Sequence, residues 1–140
     1  MFLARIRQVA GAAVAALVSA CASLPPSEPP ASDNQAVVAL LDDARGESAA
    51  ARPVQASAAL ERALRIEPRN PVLWQELARV RLNEGDYAQA ETLAARANAW
   101  SGKDRHLRAA NWRIIAEARN RRGDAGGAQA ATRRAESFER

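Results

Sequence analysis

Two kinds of apolar patterning divide this chain. From Val9 to Ala20 every residue except Ser19 is apolar or small, an unbroken run of about twelve positions. From residue 35 onward the apolar residues instead come in segments at helical spacing, separated by short polar turns. Between the two, Ser23-Leu-Pro-Pro-Ser-Glu-Pro-Pro-Ala-Ser-Asp33 carries four prolines in eleven residues. Such a composition buries too little surface to fold and stays extended and polyproline-like, reaching about 30 Å at roughly 3.1 Å per residue. The pattern predicts an apolar leader over residues 1–20, a flexible Pro/Ser-rich linker over 21–34 and a helical domain over 35–140.

The helical part repeats itself. Trp74-Gln-Glu-Leu77-Ala78 and Asn83-Glu-Gly85-Asp86-Tyr87-Ala-Gln-Ala90 lie over Trp112-Arg-Ile-Ile115-Ala116 and Arg121-Arg-Gly123-Asp124-Ala125-Gly-Gly-Ala128 at a constant offset of 38. In each copy an amphipathic helix runs to a Gly-Asp turn and an alanine-rich helix follows. Gly85 and Gly123 stand where a helix end favours a left-handed residue, and Asp86 and Asp124 can cap the next helix. Stepping back 34 residues from Trp74 exposes an earlier copy: Ala56, Leu60, Ala63, Leu64, Ile66 and Pro68 read as its second helix and terminating proline. Its first helix reads as Gln35 to Arg45, and Pro53 opens the second. Ile66, Trp100 and Phe138 share one repeat position, which predicts core packing at the end of each second helix. The stretch Ser101-Gly-Lys-Asp-Arg-His-Leu107 reads as a longer turn holding about four extra residues.

These residues resemble the tetratricopeptide repeat. Trp74, Leu77, Ala78, Gly85, Tyr87, Ala90 and Ala97 fall on its signature positions, and Trp112, Ile115, Ala116, Gly123, Ala128 and Ala135 do so in the next copy. The fold class expected is therefore all-α, a short solenoid of about three hairpins and six helices, near the minimum for a stack that must bury each hairpin against a neighbour. Because no further helix follows Phe138, the last hairpin's outer face must be polar or find a partner; Arg119, Arg122, Arg133, Arg134 and Arg140 could serve that need.

The resemblance also implies a groove lined by the first helix of each repeat, in which extended peptides or partner helices dock. On the second copy Gln75, Arg79, Leu82 and Asn83 share one helix face, and on the third Arg113, Glu117, Asn120 and Arg121 repeat the geometry. Amides and guanidinium groups there could hydrogen-bond a partner's main chain or carboxylates, or form an ordinary solvated face. A carboxylate clamp of the chaperone-binding type is not reproduced, since Leu41 and Arg45 stand where lysine and asparagine would be needed.

Cys21, the chain's one cysteine, stands at the end of the apolar run. Arg5 and Arg7 without an acidic neighbour, a short apolar stretch and small residues before Cys21 form the pattern of a secretory signal, and twelve apolar residues fall short of the roughly 20 needed to span a bilayer. Val18-Ser19-Ala20-Cys21 resembles the lipobox of bacterial lipoproteins, which implies acylation of Cys21 and cleavage before it; Ala22 after the cysteine implies sorting to the outer membrane. The other reading of Cys21 is a small buried apolar residue. Two or three acyl chains would anchor the chain stably, at about 0.8 kcal/mol per buried methylene.

Charge changes the picture little until it is placed along the chain. The net charge is +4, and setting aside Arg5 and Arg7 leaves 18 basic against 16 acidic residues. From Lys103 to the end, ten Lys/Arg face five acidic residues, whereas Ala22 to Gly102 holds eight against eleven. The C-terminal third is thus a basic end on a mildly acidic body. Chemistry is sparse: Asp42 and Asp43 are adjacent on a helix and do not converge on one substrate. His106 reads as a solvated turn residue without a cysteine partner, and no nucleophile-base pair, phosphate loop or metal-ligand spacing occurs. Neither cofactor nor metal is expected, and no enzyme.

Two functions follow as expectations. One is an outer-membrane-anchored periplasmic lipoprotein whose repeats act as a protein-protein adaptor or assembly factor for an envelope machine such as a pilus, a secretin or the cell-wall synthesis apparatus. The other is a structural tether whose basic C-terminal hairpin binds an anionic envelope polymer, lipopolysaccharide or peptidoglycan. The expected partner is an envelope protein or peptide and not nucleic acid, with the membrane reached through the N-terminal lipid.

Overall fold

Each helix of this chain starts on a residue suited to the task. The computed structural model describes residues 31–140, so the apolar leader, Cys21 and most of the proline-rich linker lie outside the described residues. Six helices follow one another: α1 (Gln35–Ala49), α2 (Pro53–Ile66), α3 (Pro71–Glu84), α4 (Tyr87–Trp100), α5 (Arg105–Arg121) and α6 (Ala125–Ser137). Side-chain oxygens of Asn34, Asn70, Asp86, Asp104 and Asp124 accept from the first-turn amides of α1, α3, α4, α5 and α6. These bonds satisfy N–H groups that a helix leaves open at its start. Helix α2 has Arg52 at the cap with no such bond and begins on Pro53, whose missing N–H and fixed φ suit the first turn. Among the described residues the fold is all-α, as the periodicity predicts.

The helices pair as three antiparallel hairpins, α1/α2, α3/α4 and α5/α6, and the hairpins stack through α2 on α3 and α4 on α5. Helix α3 also packs on α5, whereas no comparable packing joins α2 to α4 or α4 to α6. The first helices of the second and third hairpins therefore pack together while the second helices splay, and the Arg45–Glu76 bridge draws α1 toward α3, so the α1/α3/α5 side is taken as the concave one.

Three details differ from the sequence reading. Helix α1 runs four residues beyond Arg45, to Ala49, and the chain turns there on Ala51, whose φ of 56° is left-handed. Gly85 and Gly123 hold φ 83° at the equivalent points of the later copies, so Ala51 fixes the register of the first repeat at 34 residues before the second. Second, the extra residues of the third copy do not lengthen a turn. The α2–α3 and α4–α5 connections both have four residues, Glu67 to Asn70 and Ser101 to Asp104, and the insertion is an added helical turn at the start of α5. His106 is consequently an exposed residue of α5. Asp104 explains this, because its side chain accepts from Leu107 N at 2.9 Å and starts the helix earlier than Trp112 alone would suggest.

The third correction concerns the shared position Ile66, Trp100 and Phe138. Ile66 and Trp100 are 45% and 43% exposed and Phe138 is half-buried, so the row lies on the surface at the ends of α2, α4 and α6 rather than in the core. Alanine explains the displacement. Ala63, Ala97 and Ala135, three residues earlier, occupy the inner side of these helix ends and bring the hairpins too close for a large side chain beside them.

Burial divides into two cores. Leu41, Leu60, Leu64, Leu73, Leu77 and Val80 dominate the first, between α1, α2 and α3. The second, between α3, α4, α5 and α6, rests on Ile114 and Ile115 among alanines. Between them lies a buried polar chain. Gln75 Nε2 donates to Asn111 Oδ1 (2.8 Å), Asn111 Nδ2 donates to Asn98 Oδ1 (3.1 Å), and Ser101 Oγ donates to the Ala97 carbonyl (2.7 Å).

Polarity increases along the stack at matching positions. Leu41 gives way to Gln75 and then Arg113, Leu60 to Ala94 and then Thr132, and Leu64 to Asn98 and then Glu136. The first two members of each series are buried or half-buried and the last is exposed. The final hairpin thus closes the solenoid with a polar face. Arg119 and Arg122 are not part of that face: both pair with Glu91 of α4, at 2.7 and 3.1 Å.

Candidate functional site

The concave face is set by the surface side of α1, α3 and α5, whose opposite sides are held in the two cores. Along it run charged side chains that alternate between engaged and free. Arg45 of α1 donates through Nε and Nη2 to Glu76 Oε1 of α3 (3.0 and 2.9 Å), joining the first two hairpins. Glu117 and Arg121, one turn apart on α5, pair at 2.7 Å, and that hydrogen bond pushes the Arg121 guanidinium still further above its ordinary range. Arg79 lies between these pairs, exposed, with no carboxylate within ion-pair distance among the described residues.

The eight residues expected to line the groove do not all do so. Gln75 is 6% exposed and its amide is engaged by Asn111, because α5 packs over this position of α3. It is a joint between hairpins and not a contact for a partner. Leu82 is half-buried against the second core. Arg79 and Asn83 remain exposed on α3, and Arg113, Asn120 and Arg121 on α5, with Glu117 half-buried beside them.

Two hollows collect several of these residues. Arg113, Glu117 and Asn120 converge with Gln129, Thr132 and Arg133 around an open depression of about 570 Å³ between α5 and α6. Its floor is alanine, at Ala116 and Ala128, and its rim is amide, hydroxyl and guanidinium. Asn83 borders a smaller hollow of about 290 Å³ beside Val80, Ala51 and Pro53. Arg113 also reaches the Glu139 carboxylate, so the C-terminal residues fold back toward the α5 end of the face.

Such a surface can hydrogen-bond a main chain or carboxylates. Among the described residues no group of three or more His, Cys, Asp or Glu could hold a metal ion. Two surface groups besides Arg121 are shifted, Glu47 and Arg52 at the α1–α2 corner. The Arg52 guanidinium hydrogen-bonds to Glu47 and holds its carboxyl below the ordinary range, while Arg52 itself is pushed up by the same bond.

The residue that sequence reasoning missed is Asn111, fully buried at the centre of the joint. It stands 38 positions after Leu73, an apolar core residue, so a polar residue on a core position was the available signal. Glu91 was missed as well; a lone acidic residue on an alanine helix gives no sign that two arginines from the next hairpin will converge on it.

Comparison with known proteins places the architecture. The model of the tetratricopeptide repeat family matches residues 47–111. Among solved structures, the globular C-terminal domain of P. aeruginosa LpoP is 40% identical and superposes with a TM-score of 0.72, the match covering 74% of this chain and 97% of that domain. No curated protein matches the chain.

Proposed function

The chain belongs to the tetratricopeptide-type helical repeat family that includes the LpoP C-terminal domain, and from that premise we propose that it is an outer-membrane lipoprotein, acylated at Cys21, whose periplasmic repeats act as a protein-protein adaptor or assembly factor. Its partner is a protein of an envelope machine, of the pilus, secretin or cell-wall synthesis type. A match that covers 97% of the solved domain at 40% identity supports a shared mode of action over a shared fold alone.

One observation carries the groove as the working surface: Arg79, an exposed guanidinium without a carboxylate, midway along a concave face where neighbouring cations are paired. A free guanidinium offers bidentate donation to a partner's carboxylate or main chain without first breaking an internal bond. The α5–α6 hollow continues this surface toward the end of the stack.

The polymer-tether reading draws less support. Of the arginines in the C-terminal third, Arg113, Arg119, Arg121 and Arg122 are already paired with carboxylates of the same chain. Photo-crosslinkers placed at Arg79 and at Arg113 in intact cells, followed by mass spectrometry, separate the readings. The adaptor reading expects one protein captured from both positions, insensitive to moderate salt; capture of none at either position overturns it.

A further inference from the structure

The surface opposite the Gly-Asp corners has a composition that the adaptor role does not use. It is the edge where α2, α4 and α6 end and where the α2–α3 and α4–α5 connections turn. Repeat spacing puts a cation four residues before each apolar member of its exposed row: Arg62 before Ile66, Arg96 before Trp100 and Arg134 before Phe138. Arg69 and Lys103 follow at equivalent points of the two connections, and Arg108 adds a sixth cation from α5.

None of these six is within 4 Å of a carboxylate oxygen among the described residues, although Glu67 and Asp104 share a depression of this edge with Arg69. Several instead lie over aromatic rings. Arg69 sits 5.0 Å from the Trp100 centroid, Arg96 4.6 Å from Trp74, and Arg108 and Arg134 5.3 and 5.2 Å from Phe138. Helix dipoles do not account for the cluster. They favour cations at the ends of α2 and α6, but Arg108 stands near the start of α5, where the dipole opposes positive charge.

The chain enters the domain on this same edge. Asn70 Nδ2 donates to the Ala31 carbonyl (2.8 Å), and Ser32 Oγ donates to Glu67 (2.5 Å), fastening the entry point beside the α2–α3 connection. Cys21 is ten residues earlier in sequence, a reach of at most about 35 Å even fully extended.

We propose that this edge is a second membrane contact, lying on anionic phospholipid headgroups with Ile66, Trp100 and Phe138 at the interface. Lipid is the occupant that fits both halves of the pattern. Arginine and lysine attract anionic headgroups, tryptophan favours the boundary between headgroup and hydrocarbon, and the two alternate at repeat spacing. A soluble polyanion would use the cations but leave the apolar row unused. With the edge down, the concave face stands clear of the bilayer. The contact rests on the edge's own chemistry; only the identity of the membrane rests on the lipoprotein reading.

The test uses the mature chain from Ala22 onward, without lipid, and phosphatidylcholine vesicles with or without phosphatidylglycerol. Both cores close within residues 31–140, and the related LpoP domain is globular on its own account. Expected are cosedimentation with the anionic vesicles only, weakening with salt, and a blue shift of tryptophan emission that Trp100→Phe removes. The triple variant Arg62→Gln/Arg69→Gln/Lys103→Gln should bind about a hundredfold more weakly, roughly fivefold per cation removed, equivalent to about 1 kcal/mol each. Among the described residues none of the three side chains makes a salt bridge, Arg69 touching only the Trp100 ring, and circular dichroism checks that the variant is folded. Arg79→Gln should bind vesicles as the parent does, so the groove and the edge fail separately. Absence of binding to anionic vesicles, undiminished binding by the triple variant, or an equal Trp100 shift with soluble lipopolysaccharide core oligosaccharide overturns the proposal.

Discussion

Replacing Ala51 by glycine should stabilise the protein, an unusual direction for removing a methyl group. The three corners within hairpins share one hydrogen-bond pattern: Arg52 N donates to the Glu47 carbonyl at 2.9 Å, Asp86 N to the Arg81 carbonyl at 2.9 Å, and Asp124 N to the Arg119 carbonyl at 3.0 Å. Closing that ring places the residue before the donor in the left-handed region, where Gly85 and Gly123 sit at φ 83° and Ala51 at 56°. For an L-residue the left-handed conformation costs about 1–2 kcal/mol, which glycine avoids. Against this stands the greater freedom of glycine in the unfolded chain, about 0.4–1 kcal/mol. Ala51 is exposed, so little packing is lost with its methyl group. The balance is a gain of about 0.5–1 kcal/mol, or roughly 2–6 °C in Tm for a domain near 100 residues. The reverse change, Gly123→Ala, should cost a similar amount through the backbone alone, since nothing lies within 4 Å of the added Cβ. Thermal and urea unfolding followed by far-ultraviolet circular dichroism reads both. If Ala51→Gly lowers stability, or Gly123→Ala leaves it unchanged, the left-handed corner is not what ties the three repeats to one geometry.

Three further outcomes follow from the same structure. Asn111→Ala removes the acceptor of the buried Gln75 amide and should cost about 2–3 kcal/mol, whereas Gln75→Leu with Asn111→Leu removes both polar partners and should recover most of it; a double-mutant cycle in urea measures the coupling. Because Arg52 depresses the Glu47 carboxyl, the corner's ionic contribution is complete above the ordinary glutamate pKa of about 4.3 and fades as pH falls through the lower folded-state value. Glu47→Gln should therefore differ from the parent at neutral pH and converge with it in acid, as thermal unfolding across pH reports. Cys21→Ser should leave the protein unacylated, and metabolic labelling with an alkyne fatty acid should mark the parent but not the variant; equal labelling of both removes the basis for the lipid anchor.

Much of the architecture was legible because repeats state each corner more than once. Gly85-Asp86 and Gly123-Asp124 mark two corners directly, whereas the third carries Ala51 at their shared position. A backbone conformation that the residue type does not favour leaves no local signature. The exposed row of Ile66, Trp100 and Phe138 illustrates another limit. Helical spacing tells which residues share a line along the stack, but how far apart the helices stand decides whether that line is inside, and alanine-lined interfaces left no room. The concave face was legible as a set of positions and not as a set of available groups. Arg79 and Gln75 share that face, yet Asn111, 36 residues after Gln75, withdraws one and leaves the other free. Pairings across such separations depend on the rotation between hairpins, which no single repeat encodes.

The drift from leucine to charge along the stack bears on assembly in number. A solenoid whose last hairpin exposed the leucine series of its first would offer a surface onto which the next molecule could dock head to tail, and such heterologous contacts do not close but grow into filaments. Arg113, Thr132 and Glu136 stand where Leu41, Leu60 and Leu64 stand two repeats earlier, and they act as a terminator written in side chains. Such an ending withholds from the next molecule the apolar seat on which head-to-tail growth would depend.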